Sequence, residues 1–156
     1  MDEIDSLVAE ADTNDRTTAI GLYHFALSYR FAADALGALK LPTTHPDAPR
    51  EFLYFHAIEL FLKSYLRNVG LTALSLKTLG QSMRELEQTF ARQGGLLQVE
   101  DRAVLALMDR GDAVARSRYS VMGPITKPTL VALSRTCQNL AETVRTALKQ
   151  SGHPIP

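Results

Sequence analysis

Apolar residues recur along this chain at helical spacing, and no stretch alternates as a strand would. From Asp15 to Leu39, with Thr13 or Asp15 as N-cap, two stripes run together. Ile20, Tyr23, Leu27, Phe31 and Ala35 form one, and Leu22, Phe25, Tyr29, Ala32 and Leu36 form another on the opposite side. A helix that is apolar on two sides has to be covered on two sides. The pattern therefore predicts either a crowded set of helices or a second copy of the chain. This helix must end before the segment 41–49, whose three prolines forbid continuation.

Pro49 can open the second helix, where its missing N–H costs nothing, and Gly70 can close it. Between them Tyr54, Phe55, Ile58, Phe61, Leu62, Tyr65, Leu66 and Val69 fill one broad arc, the face to be buried. Leu53 and Leu60, flanked by Ala57 and Ser64, make a lesser stripe that lets a neighbouring backbone come close, from the same chain or from a second copy. Leu79, Met83, Leu86 and Phe90 mark a shorter third helix, closed by Gly94 and Gly95. A fourth opens at Val99, with Glu100 and Asp101 suited to the positive end of the helix dipole. Its buried face is Ala103, Val104, Leu107, Met108, Gly111, Val114 and Ala115, with Arg118 on the same face if the helix continues. The last, Lys127 to Gln150, gathers Leu130, Leu133, Cys137, Leu140, Ala141, Val144 and Leu148 on one side. Four long helices and one short one, joined by short connections, predict an all-α fold: an up-and-down four-helix bundle with an additional short helix.

Length and composition narrow the class. The 156 residues suit one helical domain over 15–150, between an acidic mobile tail over 1–14 and a loose end over 151–156. Hydrophobic residues at 46% and charged residues at 22% are values of a soluble globular protein. No run approaches the ~20 apolar residues of a membrane span. The acidic start lacks the basic-then-apolar order of a signal peptide, so the expected location is cytoplasmic. A net charge of zero hides an asymmetry: Asp2, Glu3, Asp5, Glu10, Asp12 and Asp15 put six acids and no base into the first fifteen residues. The remainder holds 17 bases against 11 acids, so nucleic-acid (RNA) binding is permitted but not indicated. The acidic segment could also shield a basic patch on its own body or on a partner chain. Cys137 can form no internal disulfide and sits on an apolar stripe, where it acts as a small buried hydrophobe.

Candidate chemistry is sparse. Glu59 lies on the rim of the second helix's arc, with Lys63 at i+4 in the order that favours an ion pair. That pair either screens the edge of a core helix or belongs to a site. Arg118, on a buried stripe, must find a carboxylate, carbonyls or an anion, and Glu59 is the expected partner. The alternative is that Arg118 binds the last carbonyls of its helix and reaches water. Tyr119 beside it could stack at a cleft or cap the core. His24, on an apolar stripe, is expected to be a hydrogen-bonded core histidine. His56 precedes Glu59 by three residues, but no second helix offers a matching carboxylate and histidine, so no metal and no cofactor is expected. His45 lies in a proline-rich loop and His153 in the terminal segment, and Gly94 with Gly95 makes no phosphate loop.

The order of these features resembles the HEPN superfamily of small helical proteins, found widely in prokaryotes in toxin–antitoxin, defence and nucleotide-linked systems. Phe55, Glu59, Leu62, Lys63, Leu66 and Gly70 look like the aromatic, Glu, Leu-Lys, Leu and Gly of the family's second helix. Leu79 to Leu86 looks like the opening of its short third helix, with Gln81 where many members have a histidine. Ala115 to Gly123 resembles the Arg-Tyr stretch late in its fourth helix. Active members are metal-independent ribonucleases in which an arginine is followed four to six residues later by a histidine, usually paired across a dimer interface. Here Arg118 is followed at those positions by Met122, Gly123 and Pro124, and Arg116 by Ser120, Val121 and Met122. The resemblance therefore implies a non-catalytic module with no assignable catalytic residue. The second stripe of the first helix and the lesser stripe of the second make Leu22, Phe25, Tyr29, Leu36, Leu53 and Leu60 the expected homodimer interface. The module's ligand, a partner protein, a nucleotide or a nucleic acid, would bind near Glu59, Lys63, Gln81, Arg116, Arg118 and Tyr119. The alternatives are a ribonuclease with a non-standard acid–base residue and a purely structural helical dimer.

Overall fold

Thr18 sets the first boundary of the core. Its hydroxyl oxygen accepts a hydrogen bond from the Gly21 amide at 3.0 Å, capping a helix that begins at Ala19 rather than at Asp15. The computed structural model describes residues 3–80, 82–109 and 126–156. These contain seven helices and no strand: α1 (Glu3–Arg16), α2 (Ala19–Leu36), α3 (Ala48–Asn68), α4 (Ala73–Leu79), α5 (Met83–Arg92), α6 (Val99–Asp109) and α7 (Leu130–Gln150). None of the helices among the described residues is long and apolar enough to cross a membrane.

Capping residues account for most departures from the predicted boundaries. Ser82 accepts from the Glu85 amide at 3.3 Å, the Ser-x-x-Glu start of a helix, so the predicted third helix begins at Met83 as α5, while Leu79 ends a separate α4 that was not predicted. Thr129 accepts from the Ala132 amide at 3.1 Å and starts α7 at Leu130 instead of Lys127. Pro49 stands in the first turn of α3, as expected. Gly70, at φ 109°, ends α3 in the left-handed region, and the Leu71 amide reaches back to the Leu66 carbonyl at 3.1 Å. The acidic segment, for which no regular element was predicted, forms α1, and α1 buries no residue.

Helix α3 is the hub. It packs most extensively on α2 and next on α7, with smaller contacts to α4 and α5. Tyr54, Phe55, Ile58, Phe61, Leu62 and Leu66 are buried on it, while Tyr65 is half-buried and Val69 exposed at the edge of the expected arc. On α7 the expected stripe is buried from Leu133 to Leu148, and only Leu130 is half-buried.

Two faces differ from expectation. On α6 the buried line is Asp101, Val104, Leu105 and Met108, whereas Ala103 is exposed and Leu107 half-buried. On α2 Tyr23 alone of the two bulky stripes is buried, and it is joined by Ala19, Ala26 and Ala33, which lie beside its stripe. The reason is closeness of approach. Ala57 and Ser64 of α3 are fully buried, and the Ser64 hydroxyl donates to the Ala19 carbonyl at 2.7 Å. Small side chains on both helices bring the backbones within reach of such a bond, which a leucine would prevent. The small-residue stripe on the second predicted helix is thus occupied by the same chain.

Two polar ties close the ends. The half-buried Arg67 donates to the carbonyls of Asn14, Thr17 and Leu71 at 3.1, 2.8 and 3.1 Å, fastening the end of α1 to the end of α3. After α7, Ile155 packs against the core and Arg145 donates to the Pro156 oxygen, so the segment beyond Gln150 folds back onto the helices.

Candidate functional site

Glu59 and Lys63 stand one turn apart on α3, and Lys63 Nζ donates to Glu59 Oε1 at 2.6 Å. The Lys63 and Glu59 side chains are only 16% and 20% exposed, so this is a largely covered pair and not a solvated one. Its cover is the corner between α4 and α5. A Cβ placed on Gly80 would lie 2.5 Å from Lys63 Nζ and 3.3 Å from Glu59 Oε1, so the absence of a side chain at position 80 lets the backbone rest on the pair. Gln81 follows directly, and with Arg116, Arg118 and Tyr119 it lies outside the described residues. Of the six candidate ligand-binding residues, the structure therefore places Glu59 and Lys63, bonded to each other. The expected bond between Glu59 and Arg118 falls outside the described residues; Lys63 is the partner seen.

One turn before Glu59, His56 is held between aromatic rings. Tyr29 meets it edge-on with centroids 4.4 Å apart, and Phe52 lies parallel at 6.3 Å. These contacts join α3 to the flank of α2. There Leu22, Tyr29 and Leu36, with Leu53 and Leu60 of α3, are half-buried, and Phe25 is 64% exposed. The six residues proposed from sequence for a dimer interface thus lie on the two helices that pack most extensively, none of them fully buried.

Other titratable groups serve the core. The Tyr54 hydroxyl donates to Asp34 Oδ1 at 2.5 Å, Arg30 Nε lies 3.7 Å from Asp34 Oδ2, and the Arg50 guanidinium sits 5.9 Å over the Tyr54 ring. Burial, reinforced by the hydrogen bond to Asp34, pushes the Tyr54 hydroxyl above its ordinary range and keeps it a donor at neutral pH. Lys127 Nζ donates to Glu51 Oε1 at 2.7 Å. Burial likewise pushes the Cys137 thiol well up, so it stays protonated and behaves as the expected small hydrophobe. His24, expected in the core, is exposed, because the buried line of α2 runs through the alanines instead. Among the described residues no three His, Cys, Asp or Glu side chains are grouped to hold a metal ion.

Sequence reasoning missed Asp101. It is 1% exposed, and its two oxygens accept from Thr136 Oγ1 at 2.7 Å and Asn139 Nδ2 at 2.9 Å, clamping the first turn of α6 to α7. A carboxylate in a first turn is already explained by the helix dipole, and its partners lie more than thirty residues on, so nothing in the sequence marked it. Beside it an open groove of about 350 Å³ runs between the loop before α6 and α7, lined by Leu96, Gln98, Asp101, Asn139 and Thr143 among others. No protein-family model matches the chain, and no curated protein or solved structure is significantly similar to it.

Proposed function

We propose that this chain is a non-catalytic, HEPN-like helical bundle that works in the cytoplasm as a homodimer. It would bind a partner protein, a nucleotide or a nucleic acid, in a toxin–antitoxin, defence or regulatory setting. The observation that carries the reading is the exposed apolar surface of α2, where Phe25 is 64% exposed beside the half-buried Leu22, Tyr29 and Leu36. A bulky apolar side chain left open among others is a mark of an interaction surface. The neutralised Glu59–Lys63 pair supports the non-catalytic part, since each group already satisfies the other at 2.6 Å. The ligand end of the module is assigned to that pair together with Gln81, Arg116, Arg118 and Tyr119.

Light scattering tests the dimer: the expected mass is twice the 17.2 kDa of one chain, and Phe25→Asp should return it to one. Incubation with labelled RNA in the presence of a chelator tests the chemistry. Intact RNA is expected, whereas cleavage that vanishes in Arg118→Ala would replace this reading with that of a metal-independent ribonuclease.

A further inference from the structure

Helix α1 carries an apolar stripe that no described residue covers. Ile4, Leu7 and Val8, at i, i+3 and i+4, are 68%, 60% and 63% exposed, and Ala11 continues the line. Yet α1 is not adrift: Arg67 holds the carbonyls of Asn14 and Thr17, and Asn14 Oδ1 accepts from the Ala73 amide at 3.0 Å. Among the described residues α1 lies against α4 and leaves the stripe open.

We infer that α1 docks through Ile4, Leu7 and Val8 onto the apolar flank of α2 in a second copy of the chain, each copy lending its α1 to the other. This rests on the homodimer reading and specifies how the dimer is built. Two observations choose the occupant. The first is area. A stable interface removes roughly 800 Å² per partner. Phe25 is the one bulky exposed side chain on the flank; Ala32 is exposed but small, and Leu22, Tyr29 and Leu36 are half-buried already, so apposing two such flanks covers little. The stripe on α1 adds three side chains with most of their surface still open, and reciprocity counts them twice. The second is charge. Helix α1 carries Glu3, Asp5, Glu10, Asp12 and Asp15 against Arg16 alone, whereas the chain from residue 17 onward holds 16 bases and 11 acids. Pairing α1 with α1 sets acid against acid; laying α1 on the body of a second copy sets acid against net base. The stripe from Leu22 through Phe25, Tyr29 and Ala32 to Leu36 has no carboxylate to oppose it.

The test uses Leu7→Cys and Phe25→Cys as separate full-length variants, because the native Cys137 is buried with a protonated thiol and does not compete. After subunit exchange, a short bismaleimide is expected to link the two variants in the mixture and neither variant with itself. Phe25→Cys linking to itself would overturn the inference in favour of flank-to-flank pairing, and Leu7→Cys linking to itself in favour of paired α1 helices. A mixture that gives no linked product while the unaltered chain scatters as a dimer overturns the exchange and leaves the dimer standing. A monomer for the unaltered chain removes both. Independently, Leu7→Asp is expected to weaken the dimer at least tenfold without lowering the helical content of the monomer; an unchanged dissociation constant would count against docking through α1.

Discussion

The two sides of α2 meet opposite fates. The side carrying Ala19, Tyr23, Ala26 and Ala33 is sealed, while on the side carrying Leu22, Tyr29 and Leu36 these three are half-buried and Phe25 is 64% exposed. Burial here follows fit before hydrophobicity. Alanine opposite Ala57 and Ser64 allows backbone-scale contact along two long helices, and that close contact outweighs the gain from tucking in one phenylalanine.

The contrast can be broken from either side. Ala26→Leu forces a larger side chain into a fully buried contact and is expected to destabilise the fold by about 3 kcal/mol in urea unfolding. Phe25→Ser, on the open side, should leave unfolding of the monomer within about 0.5 kcal/mol of the parent. A similar cost from both substitutions would mean that the open side is covered within the chain. Next in size, Asp101→Ala leaves the buried hydroxyl of Thr136 and the amide of Asn139 without their acceptor, and a loss of about 2 kcal/mol is expected. Lys63→Met should lose about 1 kcal/mol by leaving Glu59 partly covered and unpaired.

The smallest effect is one of pH. Tyr54, Tyr23 and Cys137 all have acidities weakened by folding, so the folded chain holds protons that the unfolded chain has released. Their stabilisation is complete below the ordinary values of 9.0 for the thiol and 10.0 for the phenols, and is lost as pH rises beyond them. Thermal melts should therefore be insensitive to these groups near neutrality and decline above about pH 9, with a shallower alkaline decline in Tyr54→Phe.

What the sequence made legible divides along the same line as the two sides of α2. The stripe of α7 and the arc of α3 were readable because large apolar residues at helical spacing coincide there with the true core. The face of α2 was legible only at Tyr23, since a periodicity argument weights size and the other buried residues there are alanines. The α4–α5 division was written locally in Ser82 and Glu85, a capping pair that the apolar stripe running through it concealed. In the candidate site the Glu59–Lys63 bond was legible from spacing alone, but its cover by Gly80 depends on packing between segments far apart in sequence, which no local pattern encodes. Arg67 gave no signal either, because its three acceptors are backbone carbonyls, which every residue has.

The glycine resting on the Glu59–Lys63 pair also gives the molecule two classes of ionic contact with different tolerance of salt. Dissolved ions screen exposed charges such as Arg16 and Asp12 on α1, but they screen a largely covered pair such as Lys63 and Glu59 much less. Raising ionic strength should therefore loosen whatever the acidic helix holds by charge while the α4–α5 corner stays latched, making salt a selective handle on assembly that spares the fold.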